Sequence, residues 1–336
     1  MQTDFLDSNQ LDQASKYLKN GEVVAFPTET VYGLGADATN EKAVKKIFQA
    51  KGRPSDNPLI IHISSVEQLE QYVQSVPDIA KTVISHFWPG PCTLILNKKG
   101  PIATSVTGGL DTIAVRMPDH PIALKLIEKS GVPLAAPSAN TSGKPSPTDA
   151  SHVKKDLDGK IRAILDGGRT GIGLESTVLD LTDPHKPTIL RPGGVTFEEL
   201  EDILGTVFES NPTLKDSSAP KSPGMKYKHY SPVKPVWILP TQLDLAKAIV
   251  NQLESDGETI GLLTSDDWLD ELKTDQRKCY SLGKKDTPQQ AAARLFYSLR
   301  KLDDEKVSMI MVEPYKKKGI GAAYMNRLEK AATRIL

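Results

Sequence analysis

Apolar positions along the chain switch repeatedly between a helical and an extended period. Leu11, Ala14 and Leu18 recur at helical spacing behind the capping residues Ser8 and Asn9, and Gly21 ends the pattern. Residues 23–26 then predict a short buried strand, which runs into a strand-end loop over 27–35 rich in small and turn-forming residues. Ala43, Val44, Ile47 and Phe48 form one stripe of a helix opened by Asn40 and Glu41. That helix delivers Lys51. A strand at 59–63 follows, then a helix over 66–76 with capping-box spacing at Ser64 and Glu67. A further helix carries Ile79, Ala80, Val83, Ile84 and Phe87 on one side and stops at Pro89-Gly90-Pro91.

Strands at 93–96 and 112–115 bracket the Gly108-Gly109 loop, and a helix is predicted over 122–129. Pro147 suits the first turn of a helix beginning after Ser146. Strands at 161–165 and 177–181 and a capping-box helix at 196–204 complete the first region. Between 210 and 235 five prolines and five lysines stand against one acid, Asp216, and no apolar period survives. Beyond it, strands at 236–239, 259–263 and 307–312 alternate with helices at 243–253, 289–302 and 322–332, the rhythm of a small doubly wound domain. The expected organisation is a domain over 1–205, a Pro/Lys-rich linker over 206–235 and a Rossmann-like α/β domain over 236–336.

Length supports that division, because 336 residues exceed what one core comfortably serves. Lys plus Arg and Asp plus Glu both total 42, which gives no global drive toward nucleic acid or an anionic membrane. Cys92 and Cys279 lie far apart and outside any Cys-x-x-Cys pair, against a disulfide framework or zinc ribbon. The first residues lack a signal-peptide pattern and no apolar run is long enough to span a bilayer, so a cytoplasmic protein is expected.

Several familiar devices are missing. There is no P-loop, no nucleophile elbow around Ser138 or Ser176, and no His-x-x-x-His spacing. What accumulates is a set of strand-end loops rich in cations, amides and hydroxyls. In Lys51-Gly52-Arg53-Pro54 a point charge and a planar fork of donors flank a glycine that keeps backbone bulk away, a pairing suited to polyphosphate or, equally, to a helix C-terminus answering its dipole. Ser138, Asn140, Thr141, Ser142, Lys144 and Ser146 crowd a loop able to aim donors at phosphate or ribose, or to satisfy itself as a turn. Arg116, at a strand end, offers a bidentate grip on a carboxylate or a plain salt bridge. His62 alternates with Ile61 and Ile63 as core histidines do.

In order and spacing these motifs resemble one family. Pro27-Thr28-Glu29-Thr30-Val31-Tyr32-Gly33-Leu34, Lys51-Gly52-Arg53-Pro54, Asn57-Pro58-Leu59, Ala114-Val115-Arg116-Met117-Pro118, Pro137-Ser138-Ala139-Asn140, Glu175-Ser176-Thr177-Val178 and Leu190-Arg191-Pro192-Gly193 resemble the YrdC domain of threonylcarbamoyl-AMP synthases. The run from Ser222 to Tyr230 and Met325-Asn326-Arg327-Leu328 resemble the two-domain long form. The resemblance implies a twisted, mixed, open α/β sheet flanked by helices, with a smaller Rossmann-like domain behind it. It implies synthesis of threonylcarbamoyl-AMP from L-threonine, bicarbonate or CO2, and ATP, with release of pyrophosphate. The product would pass to the machinery that modifies tRNA next to the anticodon.

Position by position, the resemblance implies that Lys51, Arg53, Asn57, Thr112, Ser138, Asn140, Ser146, Arg191 and Tyr230 serve ATP. Thr30, His62, Arg116, Ala136 through its backbone, and Ser176 would surround threonine. With no evident nucleophile or acid–base pair, catalysis is expected to be positioning and charge stabilisation, Lys51 and Arg53 gripping the pyrophosphate together with a Mg2+ held mainly by the phosphates. The linker around Tyr230 is expected to act as a lid. An RNA-binding module is the rival reading, disfavoured by the balanced charge, and stable RNA binding is not expected.

Overall fold

The computed structural model describes residues 2–55, 57–210 and 230–336. The run 222–229 and most of the expected lid lie outside these residues. Contacts divide the chain into one unit of Met1–Ser142, Pro147–Gly171 and Glu175–Tyr227 and another of Gly143–Ser146, Ile172–Leu174 and Lys228–Leu336.

The first unit is built on one sheet. Its strands are β1 Asp4–Leu6, β2 Val24–Phe26, β3 Gly33–Asp37, β4 Ile60–His62, β5 Cys92–Asn97, β6 Thr112–Arg116, β7 Leu134–Ala135, β8 Ala163–Leu165, β9 Thr177–Asp180, β10 Thr188–Arg191 and β11 Phe208–Glu209. They lie in the order β1-β8-β2-β3-β7-β4-β6-β5-β9-β10-β11. The sheet is mixed, since β4 pairs parallel with β6 and antiparallel with β7.

Strand alternation decides what each face meets. In β2, Val24 and Phe26 pack with Ala14 and Leu18 of the helix Leu11–Lys19 and with Leu126 and Ile127 of the helix Pro121–Ser130. Ala25 faces the other way, into a larger core with Val44, Ile47 and Phe48 of the helix Glu41–Lys51. Further along the sheet, Ile61, Leu94, Val115 and Leu179 continue that larger core. Their neighbours Ile60, Ile95, Ala114 and Val178 form a small apolar cluster of their own on the opposite face. That face carries the candidate site.

Local departures from the sequence pattern have identifiable causes. The loop expected over 27–35 ends early, because residues 33–35 belong to β3 and pair with β2. Glycine is needed there: a Cβ at Gly35 would lie 2.8 Å from the Phe26 ring. The helix expected over 66–76 stops at Leu69, since Val73 bridges Lys98 and the Gln74 N–H bonds the Asn97 carbonyl. Its cap differs too, with Ser65 at the N-cap and the Ser64 N–H donating to Gln68 Oε1. Pro147 lies outside the next helix, which is capped by Asp149 and spans Ala150–Leu157. The Thr196 and Glu199 capping box forms as its spacing predicts. β1, β7, β10 and β11 were illegible: β1, β7 and β11 run only two or three residues, and Thr188–Arg191 of β10 shows no polar/apolar alternation in sequence.

The second unit has a parallel sheet of β12 Val236–Ile238, β13 Ile260–Thr264, β14 Lys278–Ser281, β15 Met309–Val312 and β16 Arg334–Ile335, ordered β14-β13-β15-β12-β16. Helices Leu243–Ser255, Asp266–Leu272, Pro288–Asp304 and Ile320–Ala331 join them. This is the expected doubly wound pattern, with two edge strands and one helix that the apolar period does not reveal.

Candidate active site

The second face of β4, β6, β5 and β9 has a regular build. Thr112, Ala114 and Arg116 alternate onto it from β6, and register pairs Ile60 with Ala114 and His62 with Arg116. Ile60, Ile95, Ala114 and Val178 make an apolar floor. Thr112 and Arg116 stand at its two ends, roughly 13 Å apart along the strand.

At the Arg116 end the polar groups are fixed. Arg116 is 4% exposed; its Nε donates to the Gly90 carbonyl at 3.1 Å and its Nη1 to Thr30 Oγ1 at 2.9 Å. Nη2 lies 2.5 Å from Glu29 Oε1. Thr30 is held in turn by Thr28, with hydroxyl oxygens 2.8 Å apart. His62 is buried, its Nδ1 has no hydrogen-bond partner among the described residues, and its ring meets Phe26 edge-on at 6.1 Å. Burial, reinforced by the Arg116 charge, lowers the His62 pKa from 6.5 to about 3, so the ring is neutral. Ser176 shares a 2.7 Å hydrogen bond with Thr93 and accepts from Arg191 Nη2 at 3.2 Å. Arg191 Nε and Nη2 also donate to the Ser176 carbonyl, so this arginine braces the Ser176 loop. The Ala136 N–H donates to the Ile60 carbonyl at 2.9 Å.

The other cluster gathers the cationic loop. Helix Glu41–Lys51 ends at Gly52, whose φ of 62° is the left-handed cap conformation. That conformation, rather than room for a ligand, is the reason for glycine: a Cβ there would meet nothing within 4 Å. Lys51 is 3% exposed and donates to the Asn140 carbonyl at 2.7 Å and to the Ser138 carbonyl. The Ser142 N–H returns a bond to the Lys51 carbonyl. Lys51 is therefore no solvated helix-end charge; it stitches the 138–142 loop to the helix. Within that loop Ser138 Oγ donates to Asn140 Oδ1 at 2.5 Å. Arg53 Nη2 reaches the Asn57 carbonyl at 3.3 Å. Asn57 is fully buried, yet neither atom of its carboxamide finds a partner among the described residues. An unpaired buried amide costs on the order of 1–3 kcal/mol, which a bound polar ligand would recover.

Two residues of the nucleotide set, Ser146 and Tyr230, belong to the second unit. There Tyr230, with φ of 66°, stacks on Phe296 at 5.2 Å beneath the Arg327 guanidinium. The sequence reading passed over Glu29. Its signal was present, as an acid inside an otherwise neutral hydroxyl-rich strand-end loop. Thr93 gave none, because only the pairing of β5 with β9 brings it to Ser176.

Residues 16–193 match the family described as "Telomere recombination", and residues 195–333 match "Threonylcarbamoyl-AMP synthase, C-terminal domain". The threonylcarbamoyl-AMP synthase of Bacillus subtilis (strain 168) is 49% identical over 98% of this chain and 95% of its own. The chain belongs to the threonylcarbamoyl-AMP synthase family. Its Pyrococcus abyssi member is 48% identical over 95% of this chain and 93% of its own. The crystal structure of P. abyssi Sua5 complexed with L-threonine superposes with a TM-score of 0.92 at 45% identity, covering 100% of this chain and 99% of that one. The family's two-part architecture thus runs the length of the chain. No helix among the described residues is long and apolar enough to cross a membrane.

Proposed function

We propose that this chain makes threonylcarbamoyl-AMP on the second face of its large sheet, with threonine at the Arg116 end. The observation that carries the reading is Arg116 itself, a buried guanidinium at the end of an apolar floor, held by Gly90 and Thr30 and paired with Glu29. A guanidinium so fixed presents a fork to a carboxylate without reorganising. Threonine bound there would exchange its carboxylate with Glu29 on the fork. Ser176, Thr30 and neutral His62 would then meet its hydroxyl and amine.

Glu29 has a second use in this reading. The α-ammonium of threonine must lose a proton before its nitrogen can attack the carbon of CO2, or of bicarbonate with loss of water. A carboxylate already beside Arg116 is placed to take that proton. One carbamate oxygen then attacks the α-phosphorus of ATP, the bond to the β-phosphate oxygen breaks, and pyrophosphate leaves. Lys51, Arg53, Asn57, Thr112, Ser138, Asn140 and Arg191 are the proposed nucleotide contacts, with Lys51 and Arg53 countering the charge that grows on pyrophosphate. These contacts are themselves cations, amides and hydroxyls, and no group of three or more His, Cys, Asp or Glu suited to a metal occurs among the described residues. This donor set suits phosphate oxygens, so Mg2+ would arrive on the nucleotide and neutralise part of its charge.

The product, a mixed anhydride, would pass to a tRNA-modifying enzyme. Lys51→Ala and Arg53→Ala test the reading: both should abolish threonine-dependent pyrophosphate release while melting cooperatively. Near-normal release in both would remove them from the reaction.

A further inference from the structure

The second unit holds a second constellation that the proposed reaction does not use. In its sheet order, β13 leads outward to β14 while β15 leads the opposite way, past β12, to β16. Neighbouring parallel strands whose connections diverge leave a crevice beyond their carboxyl ends, the usual ligand position in such sheets. Here Thr264 and Ser265 stand at the end of β13 and Glu313 at the end of β15, in register through the Glu313 N–H bond to the Leu263 carbonyl.

Glu313 is fully buried. One carboxylate oxygen accepts the Ser265 N–H at 2.6 Å and the other takes the ammonium of Lys285. That ammonium lies 5.1 Å from the Trp268 ring centre and 4.8 Å from that of Tyr315, and bonds the Pro314 carbonyl at 3.3 Å. Two aromatic faces, a carboxylate and a carbonyl around one ammonium form a cation cage. The Tyr324 hydroxyl holds the Glu313 carbonyl at 2.8 Å and fixes the backbone beneath it.

Three observations set this apart from a plain salt bridge. The side chain of Lys285 is 41% exposed and comes from the loop after β14, so it can swing into water; that of Glu313 is 0% exposed and cannot. The hydroxyls of Thr264, Ser265 and Tyr315 are all buried with no partner among the described residues, which a structural ion pair does not explain. With Lys285 withdrawn, Tyr315 would face the carboxylates of Glu313, Asp266 and Asp267, with Arg294 opposing them. Such a site selects positive charge.

We propose that this crevice is a binding site for a small alkylammonium, such as a polyamine or a free amino acid with an amine side chain, with Lys285 as its intramolecular occupant. The ligand's ammonium would replace that of Lys285 between Trp268 and Tyr315 on Glu313. Its remaining polar groups would meet the three unpaired hydroxyls.

The full-length chain tests this with n-propylammonium, the fragment that Lys285→Ala removes. In calorimetric titration, Lys285→Ala should bind it saturably and about tenfold or more tighter than the wild type, because the built-in competitor is gone. The isosteric n-propanol should bind to neither. Spermidine and L-lysine then separate the two ligand sources by which binds the wild type more tightly. Absence of saturable binding to folded Lys285→Ala, equal affinity in both proteins, or equal binding of n-propanol would each overturn the proposal. Should Lys285→Ala not fold, Lys285→Gln replaces it with the same expected order.

Discussion

Each unit sets a carboxylate against a cation at the ends of strands, the half-buried Glu29 with Arg116 in the first and the fully buried Glu313 with Lys285 in the second. In the first pair the cation is the fixed member. Arg116 is buried and its fork is committed in direction by Gly90 and Thr30, while Glu29 comes from a loop. In the second the carboxylate is fixed, by Ser265 and by complete burial, and the lysine comes from a loop. A fixed cation with a displaceable anion is a receptor for a carboxylate; the reverse is a receptor for an amine. In the proposed reading of both sites, which partner the fold immobilises decides the ligand.

The largest effect should come from removing the fixed member of the first pair. Arg116→Ala is expected to lower threonine-dependent turnover by about 10²–10³-fold, as loss of one preorganised charged donor does. Arg116→Lys should recover little, since an ammonium cannot reproduce the fork. Glu29→Gln should follow, with a loss of about 10²-fold at neutral pH if Glu29 takes the ammonium proton. In that variant turnover should climb with pH, because threonine's own amine then deprotonates in solution. A pH profile parallel to the wild type would reduce Glu29 to a placeholder on Arg116.

Acid should separate the two units. His62 has its pKa lowered to about 3 in the folded state, against 6.5 unfolded. Between those values the unfolded chain binds a proton that the folded chain refuses, so its stabilising contribution is complete above pH 6.5 and drains away toward pH 3. The total is on the order of a few kcal/mol. Denaturant unfolding followed against pH should show this acid limb, and His62→Leu should flatten it. An unchanged limb would mean that His62 is hydrated rather than dry. Smallest of all, Thr196→Ala removes a capping box far from either pair and should cost about 1 kcal/mol with turnover unaltered.

Much of this was readable from the chain, and the gaps have physical reasons. Alternation in 112–116 and 60–62 marks one face as core, and the polar residues Thr112, Arg116 and His62 on the other face are those the proposed site would use. His62 looked like a core histidine and is one by burial, but its partner by strand register is Arg116. Lys51 was legible as a cation at a helix end; its bonds to the 138–140 carbonyls depend on a loop nearly ninety residues later. Helix 66–76 had the period and still broke, because backbone pairing with 97–98 outweighed it. The second unit's cage was illegible: Thr264, Lys285 and Glu313 share no local pattern, and only the crossing order of the strands assembles them.

The reading of the first pair can be tested on one substrate. Threonine titrated into the wild type and Arg116→Ala should bind the former saturably and the latter not at all, with pyrophosphate release from ATP and bicarbonate lost in step. Undiminished threonine affinity in Arg116→Ala would contradict it, and would place the threonine carboxylate somewhere other than on the buried fork.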